Sequence, residues 1–276
     1  MIRVFPRQTS ATPTDNLAYY DAPPAWYAGS DKVNVSCTFT YDRPQAEQLA
    51  KEWKIQGYNV SLGGPAYGDA GGDFVPGRFI KPGFTMTSRG CNNKCWFCYV
   101  WKREGKIREL PITEGYNVLD SNLLQCSDEH IRKVFAMLKR QPQRAEFTGG
   151  LEAARLQDWH VDLLADLKPR RLYFAYDTPD DYEPLRIAAS KVVGNVFSKS
   201  SHDVMCYVLI GWARDTFDAA EARLKQVMEL GLTPMAMLFR DDQGQANVEW
   251  RRFQRKWARP SLIYGNSTKA VEPTLF

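Results

Sequence analysis

The chain predicts an α/β protein: a partial, open barrel of six parallel strands with helices outside, behind a small N-terminal β-α-β subdomain. Three observations carry that reading. From residue 83 onward, short apolar runs alternate with amphipathic helical segments. A Gly- and Pro-rich connector at 63–82 sets this pattern apart from an earlier strand-helix-strand pattern. The length, 276 residues, suits one large domain or a domain with a small appendage.

Composition narrows the class. Hydrophobic residues make up 44% and charged residues 25%, ordinary values for a soluble globular chain, and no apolar run approaches the roughly 20 residues needed to cross a bilayer. A membrane protein is therefore not expected. Thirty-six Lys and Arg against 32 Asp and Glu leave +4, a surplus that permits a polyanionic partner without demanding one.

Residues 1–30 are rich in Pro, Ala, Thr and Tyr without periodicity, and are expected to follow an irregular path. The start, MIRVFPRQTSATPTD, lacks the apolar core of a secretory signal. A cytoplasmic, reducing setting follows for the six cysteines, where clustering points to metal or catalysis rather than disulfides.

Residues 31–82 hold the subdomain and its connector. VNVSCTFTY (33–41) and YNVSLGGPAY (58–67) read as strands, and PQAEQLAKEWKIQG between them reads as a helix opened by Pro44 and closed by Gly57. The glycines of GGPAYGDAGG lack both the P-loop ending and the dinucleotide fingerprint, so the connector reads as a plain linker.

Residues 83–240 form the barrel. Its strands are FTMTS (84–88), YNVLD (116–120), AEFTG (145–149), RLYFAY (171–176), VMCYVLIG (204–211) and PMAMLF (234–239). Ser127 can cap the helix whose Ile131, Val134, Phe135 and Leu138 share one face. Asp215 or Thr216 can cap another, which Gly231 ends. Residues 241–276 supply a last helix and tail, with Trp250, Phe253 and Trp257 on one face and Arg251, Arg255 and Arg259 as a basic stripe.

The sharpest signal is Cys91-Asn-Asn-Lys-Cys95-Trp-Phe-Cys98, just beyond the first barrel strand, at the end where such barrels build their active sites. Structural zinc wants four ligands, and Cys37, Cys126 and Cys206 are dispersed. Three thiolates can hold three irons of a [4Fe–4S] cluster and leave one iron open to another ligand, which favours chemistry over electron carriage alone.

In C-x3-C-x-aromatic-C, carried by Cys91, Cys95, Phe97 and Cys98, the chain resembles the radical S-adenosylmethionine (radical SAM) superfamily over about residues 83–240. The resemblance implies a partial (β/α)6 TIM-like barrel, a [4Fe–4S] cluster on the three cysteines, and S-adenosylmethionine chelating the open iron. It also implies an external one-electron reductant, flavodoxin- or ferredoxin-like, and a 5′-deoxyadenosyl radical that abstracts hydrogen from a substrate. For the methionyl amine two segments compete: Asp120 and Asn122 after the second strand, or Thr148, Gly149, Gly150 and Glu152 after the third. A glycine after a strand also serves simply to allow a tight turn. Tyr176 and Asp177 would lie near the ribose, Ile210 and Gly211 near adenine, with Leu238 beside them; Asp177 reads equally as part of a helix cap.

The subdomain resembles shrunken relatives of domains that precede this barrel in some radical enzymes, but no Asp-x-His-x-x-Gly segment and no second cysteine triplet is present. Neither cobalamin nor an auxiliary cluster is expected. His130, His160 and His202 read as solvated, and Cys126 either as a hydrogen-atom donor or as a small buried hydrophobe. The loop YVWKREGKIREL (99–110) mixes aromatic and basic residues and reads as a lid. With the basic stripe it points first to a nucleobase or its substituent in nucleic acid as substrate, including phage DNA hypermodification. The alternatives are a small metabolite or amino acid, a glycyl-radical activase, and a non-enzymatic iron–sulfur carrier.

Overall fold

A computed structural model describes residues 1–24, 32–241 and 244–257, together with Ile263. It shows a mixed α/β protein with parallel sheets, divided into two compact units: residues 1–141 with 242–244, and residues 142–241 with 245–276. Arg259 and most of the tail lie outside the described residues.

In the first unit, β1 (Ile2–Val4), β2 (Ala18–Tyr19), β3 (Lys32–Ser36) and β4 (Asn59–Gly63) form a parallel sheet in the order β2-β1-β3-β4. The N-terminal stretch is thus not irregular throughout. Ile2 and Val4 lie opposite Val33 and Val35, buried on both strands, and β1 occupies an interior place in the sheet. Three residues are too few to show a period of two, so no alternation in the sequence announces this strand.

Helix α1 (Arg43–Ile55) starts as Pro44 predicts and covers one face of the sheet with Ala46, Leu49 and Trp53. The Trp53 indole N–H donates to the Asp21 carbonyl at 3.1 Å, so this large side chain is buried without an orphaned donor. The strand expected at 33–41 stops at Ser36, because Thr40–Asp42 form a 3-10 turn leading into α1.

Farther along the same unit, β5 (Phe84–Thr85) pairs in parallel with β8 (Asn117–Val118). Between them β6 (Ser88–Arg89) and β7 (Arg108–Glu109) make an antiparallel hairpin, with α2 (Val100–Glu104) inside its loop. The expected strand 84–88 therefore breaks in two: the Thr87 N–H leaves the sheet for the Asp120 carboxylate at 2.6 Å, and Ser88 joins the hairpin. Helix α3 (Asp128–Lys139) begins at the expected cap, Ser127, whose hydroxyl accepts from the His130 N–H at 3.2 Å.

The connector is strapped down rather than loose. Arg108 donates to the carbonyls of Ala70 (3.0 Å) and Gly71 (2.5 Å), and Arg89 to that of Gly72 (3.2 Å). Arg3 donates to those of Gly77 (2.6 Å) and Arg78 (3.0 Å). Charged donors on backbone acceptors are among the stronger hydrogen bonds, and here they stand in for regular secondary structure.

In the second unit β9 (Glu146–Phe147), β10 (Arg171–Tyr176), β11 (Val204–Ile210) and β12 (Thr233–Leu238) pair in parallel in that order. Between them run α4 (Asp158–Leu167), α5 (Tyr182–Val192) and α6 (Phe217–Glu229), the β-α alternation the sequence predicts. Thr216 caps α6, while Asp215 pairs with buried Arg223 at 2.9 Å. Helix α7 (Val248–Lys256) lays Trp250 and Phe253 against Phe217, at 4.3 and 5.4 Å between ring centres. These aromatics are packing residues.

Candidate functional site: the cysteine hairpin

The three clustered cysteines lie in the loop of the β6–β7 hairpin, and each is half-buried. Gly90, immediately before Cys91, has φ +85, and an added Cβ would collide with the Lys106 carbonyl. Only glycine lets the two arms approach this closely. The Cys91 N–H then donates to the Gly105 carbonyl at 3.1 Å, closing the base of the loop.

Glu104, at the end of α2, braces this base. It accepts from the Gly90 N–H (2.9 Å), from Arg103 (2.6 Å) and from the Ser121 hydroxyl (3.2 Å), and Arg89 stands 4.0 Å away. Burial alone would raise its carboxyl, but hydrogen bonds from Arg103 and Gly90 and the charges of Arg103 and Arg89 outweigh this and hold it below the ordinary value. On the other side of the loop Gln125 accepts from the Asn92 N–H at 2.7 Å and donates to the Asn93 side chain at 3.1 Å.

The sulfurs receive donors as well. The Val100 N–H points at Cys98 Sγ at 3.4 Å, and the Asn122 amide at Cys91 Sγ at 3.6 Å. The Cys95 carbonyl accepts from the Trp101 indole N–H at 2.9 Å and from the Cys98 N–H at 3.1 Å. Phe97 stacks edge-on to Trp96, which is 52% exposed. Donors aimed at thiolates stabilise negative sulfur and tune the potential of an iron–sulfur group, so this donor set fits such a cluster. Among the described residues no group of three or more His, Cys, Asp or Glu side chains is gathered to hold a single metal ion. In a cube each thiolate sits on its own corner iron, a wider arrangement than one ion requires.

Asp120, a candidate for the methionyl amine, is 1% exposed and takes up Thr87 N–H (2.6 Å), Thr87 hydroxyl (2.6 Å) and Ser88 hydroxyl (2.8 Å). Its place is that of a clamp on the stem of the hairpin. Cys126 is half-buried, and burial pushes its thiol up to about 12, with a Ser88 hydrogen bond acting the other way. It is a protonated thiol at neutral pH.

The remaining candidates lie in the second unit. Thr148 offers its carbonyl to the Tyr207 hydroxyl at 3.2 Å, Gly149 is exposed, and Gly150 turns with φ +85. Glu152 pairs with Arg155 at 3.0 Å. Buried Tyr176 donates to the Gln226 side chain at 2.8 Å. The helix cap after β10 is built by Thr178 and Asp181, and Asp181 also accepts from the Asp177 N–H. Asp177 itself is pushed up to about 7, first by burial and then by the Asp181 charge, against a hydrogen bond from the Leu209 backbone. Ile210 is fully buried, and a Cβ on Gly211 (φ +79) would meet Leu238 at 2.7 Å and Trp250 at 3.0 Å.

Two histidines depart from expectation. His130 is buried beside Glu109 (3.6 Å), and His160 is buried with Nδ1 accepting the Gln157 N–H at 3.0 Å as a capping group. His202 is exposed. The lid is likewise not a free loop: Arg103 and Arg108 are engaged inside the unit, and Lys102 sits over the rings of Tyr99 and Trp101 at 5.3 and 5.6 Å. Glu104 and Gln125 were not among the sequence candidates, since no local pattern ties them to a loop more than ten residues away.

No protein-family model matches this chain, and no curated protein matches it in sequence.

Proposed function

We propose that the chain is a radical SAM enzyme in which Cys91, Cys95 and Cys98 each bind one iron of a [4Fe–4S] cluster. The observation that carries the reading is the hairpin loop itself: three half-buried thiols within eight residues, held at the base by Gly90 and Glu104, with N–H donors aimed at Cys91 and Cys98. The fold proposed with this reading is a partial (β/α)6 barrel. Cys91, Cys95 and Cys98 would hold the cluster, whose chemistry would be one-electron reductive cleavage of the sulfonium C5′–S bond of S-adenosylmethionine to methionine and a 5′-deoxyadenosyl radical.

The chain's own residues prepare the site. Asp120 fixes the stem through Thr87 and Ser88, Glu104 fixes the base, and Gln125 fixes the crest. Asn122 faces Cys91 and would stand beside the bound methionyl group. Thr148, Gly149, Gly150 and Glu152 remain the competing amine site, and Tyr176 and Asp177 would contact the ribose. Cys126, protonated, retains the hydrogen a donor would need.

For the substrate, a small metabolite is favoured over nucleic acid. Arg103 and Arg108, counted toward a phosphate-binding lid, each turn one terminal nitrogen inward, to Glu104 and to the connector carbonyls respectively. In this proposal the enzyme is cytoplasmic and takes its electron from a flavodoxin- or ferredoxin-like donor.

The test is anaerobic reconstitution and reduction, followed by 5′-deoxyadenosine measurement with S-adenosylmethionine, for wild type and Cys95→Ala, in the presence of DNA, tRNA or a metabolite extract. Product that disappears in the variant and rises with the metabolite extract supports the proposal. A rise with DNA or tRNA alone returns the substrate to nucleic acid. A fully loaded cluster giving no product under any condition replaces the enzyme with an iron–sulfur carrier.

A further inference from the structure

The N-terminal sheet is two-faced. Val33 and Val35 turn toward α1, so by the alternation of a strand Asn34 and Ser36 turn the other way, and Ser61 lies opposite Asn34 in register. On that polar side a cavity of about 400 Å³ opens between the strands and the connector. Its wall continues past the carboxyl ends of β3 and β4 to Thr38 and Gly64, where open parallel sheets place their ligands. The size falls in the range of small-molecule sites.

The chemistry of the wall is donor-rich. Asn34 Nδ2 is buried and meets no acceptor within the described protein. A buried donor without a partner is costly, so this amide asks for an acceptor from outside the chain. Arg78 enters the wall with no carboxylate partner among the described residues, resting 5.3 Å from the Phe79 ring. Arg89 enters it too, largely buried, with Glu104 4.0 Å away as its ion pair. Asp69 and Asp73 also line the cavity, but Asp69 is turned onto the Gly71 N–H at 2.8 Å. Phe74, Phe79 and Met86 supply an apolar floor. A neighbouring cavity of about 330 Å³ shares Ser36, Thr38, Phe79 and Met86, leaving room for an extended body.

We propose that this cavity binds a small organic anion, a carboxylate or phosphate monoester on a flat apolar body. The anionic group meets Arg78, Arg89 and the Asn34 amide, and the body lies on Phe74, Phe79 and Met86. The site goes beyond the radical chemistry and stands without it, because every residue in it belongs to the first unit and none is a cluster cysteine. If both hold, Arg89, next but one to Cys91, joins the anion site to the hairpin.

Binding is tested directly on the full chain, by equilibrium dialysis and thermal shift, with phenyl phosphate, benzoate and benzamidine as probes. One or both anions should bind and raise Tm, benzamidine should not, and the better anion names the head group. Arg78→Gln should weaken that anion about tenfold or more while leaving the probe-free Tm near wild type, because Arg78 is exposed. Ser61→Trp, which fills the cavity from an exposed strand position, should also abolish binding. No binding of either anion by wild type, equal affinity in Arg78→Gln, or equal binding of benzamidine would overturn the proposal. None of these readouts depends on a cluster or on S-adenosylmethionine, so a failure here is separate from a failure of the radical reading.

Discussion

The Thr87 hydroxyl and the Asp120 carboxylate meet at 2.6 Å in the interior of the first unit, and the Thr87 N–H reaches the same carboxylate at 2.6 Å. One acidic side chain thereby ends β5 and sets where the hairpin bearing the cysteines begins. Asp120→Ala leaves three donors without an acceptor. We expect a loss of roughly 2–4 kcal/mol, at 1–3 kcal/mol for a buried group and partial relaxation of the rest. Chemical denaturation followed by far-UV circular dichroism reads it, and an unchanged midpoint would show that the clamp bears no stability.

Gly90→Ala should disturb the hairpin more than the fold. The positive φ costs a residue with a side chain on the order of 1–3 kcal/mol, and the Lys106 carbonyl must shift as well. Iron and sulfide per chain after reconstitution should fall well below wild type while circular dichroism stays close to it. Equal loading would remove Gly90 from the site.

Glu104 has a pH signature. Its carboxyl is held below the ordinary value in the folded chain, so its stabilising contribution is present above the unfolded pKa and is lost as pH falls through the folded one. Wild type should lose more stability than Glu104→Gln between about pH 6 and pH 3. Parallel pH profiles for the two proteins would refute the brace.

Asp177 has the opposite sign. With its carboxyl raised to about 7, its contribution is full below the unfolded value and is lost as pH rises through 7. Wild type should therefore decline in Tm from about pH 5 to pH 8 relative to Asp177→Asn, by the equivalent of a few kcal/mol at most. A variant that declines equally would place the titration elsewhere.

What the sequence makes legible depends on how local the cause is. RLYFAY appears as strand 171–176 because its apolar run, with Leu172, Tyr173, Phe174 and Tyr176 buried, suits a central strand. The stretches 116–120 and 145–149 shrink to two paired residues each. The cysteine spacing is visible in the letters, and so is the cap at Ser127. The groups that support the loop are not: Glu104 and Gln125 act through contacts 14 and 33 residues away in the chain. His130 and His160 misled for a related reason, since a helix-surface position carries no sign of the partner that buries it.

The arginines that hold the connector to the hairpin also set how the first unit breathes. Arg89 and Arg108 project from the two paired strands of that hairpin onto the carbonyls of residues 70–72. Opening either segment breaks hydrogen bonds that hold the other. In amide hydrogen exchange, Gly71, Gly90 and Cys91 should behave as one unit with a common opening free energy, although twenty residues of chain separate the first from the last.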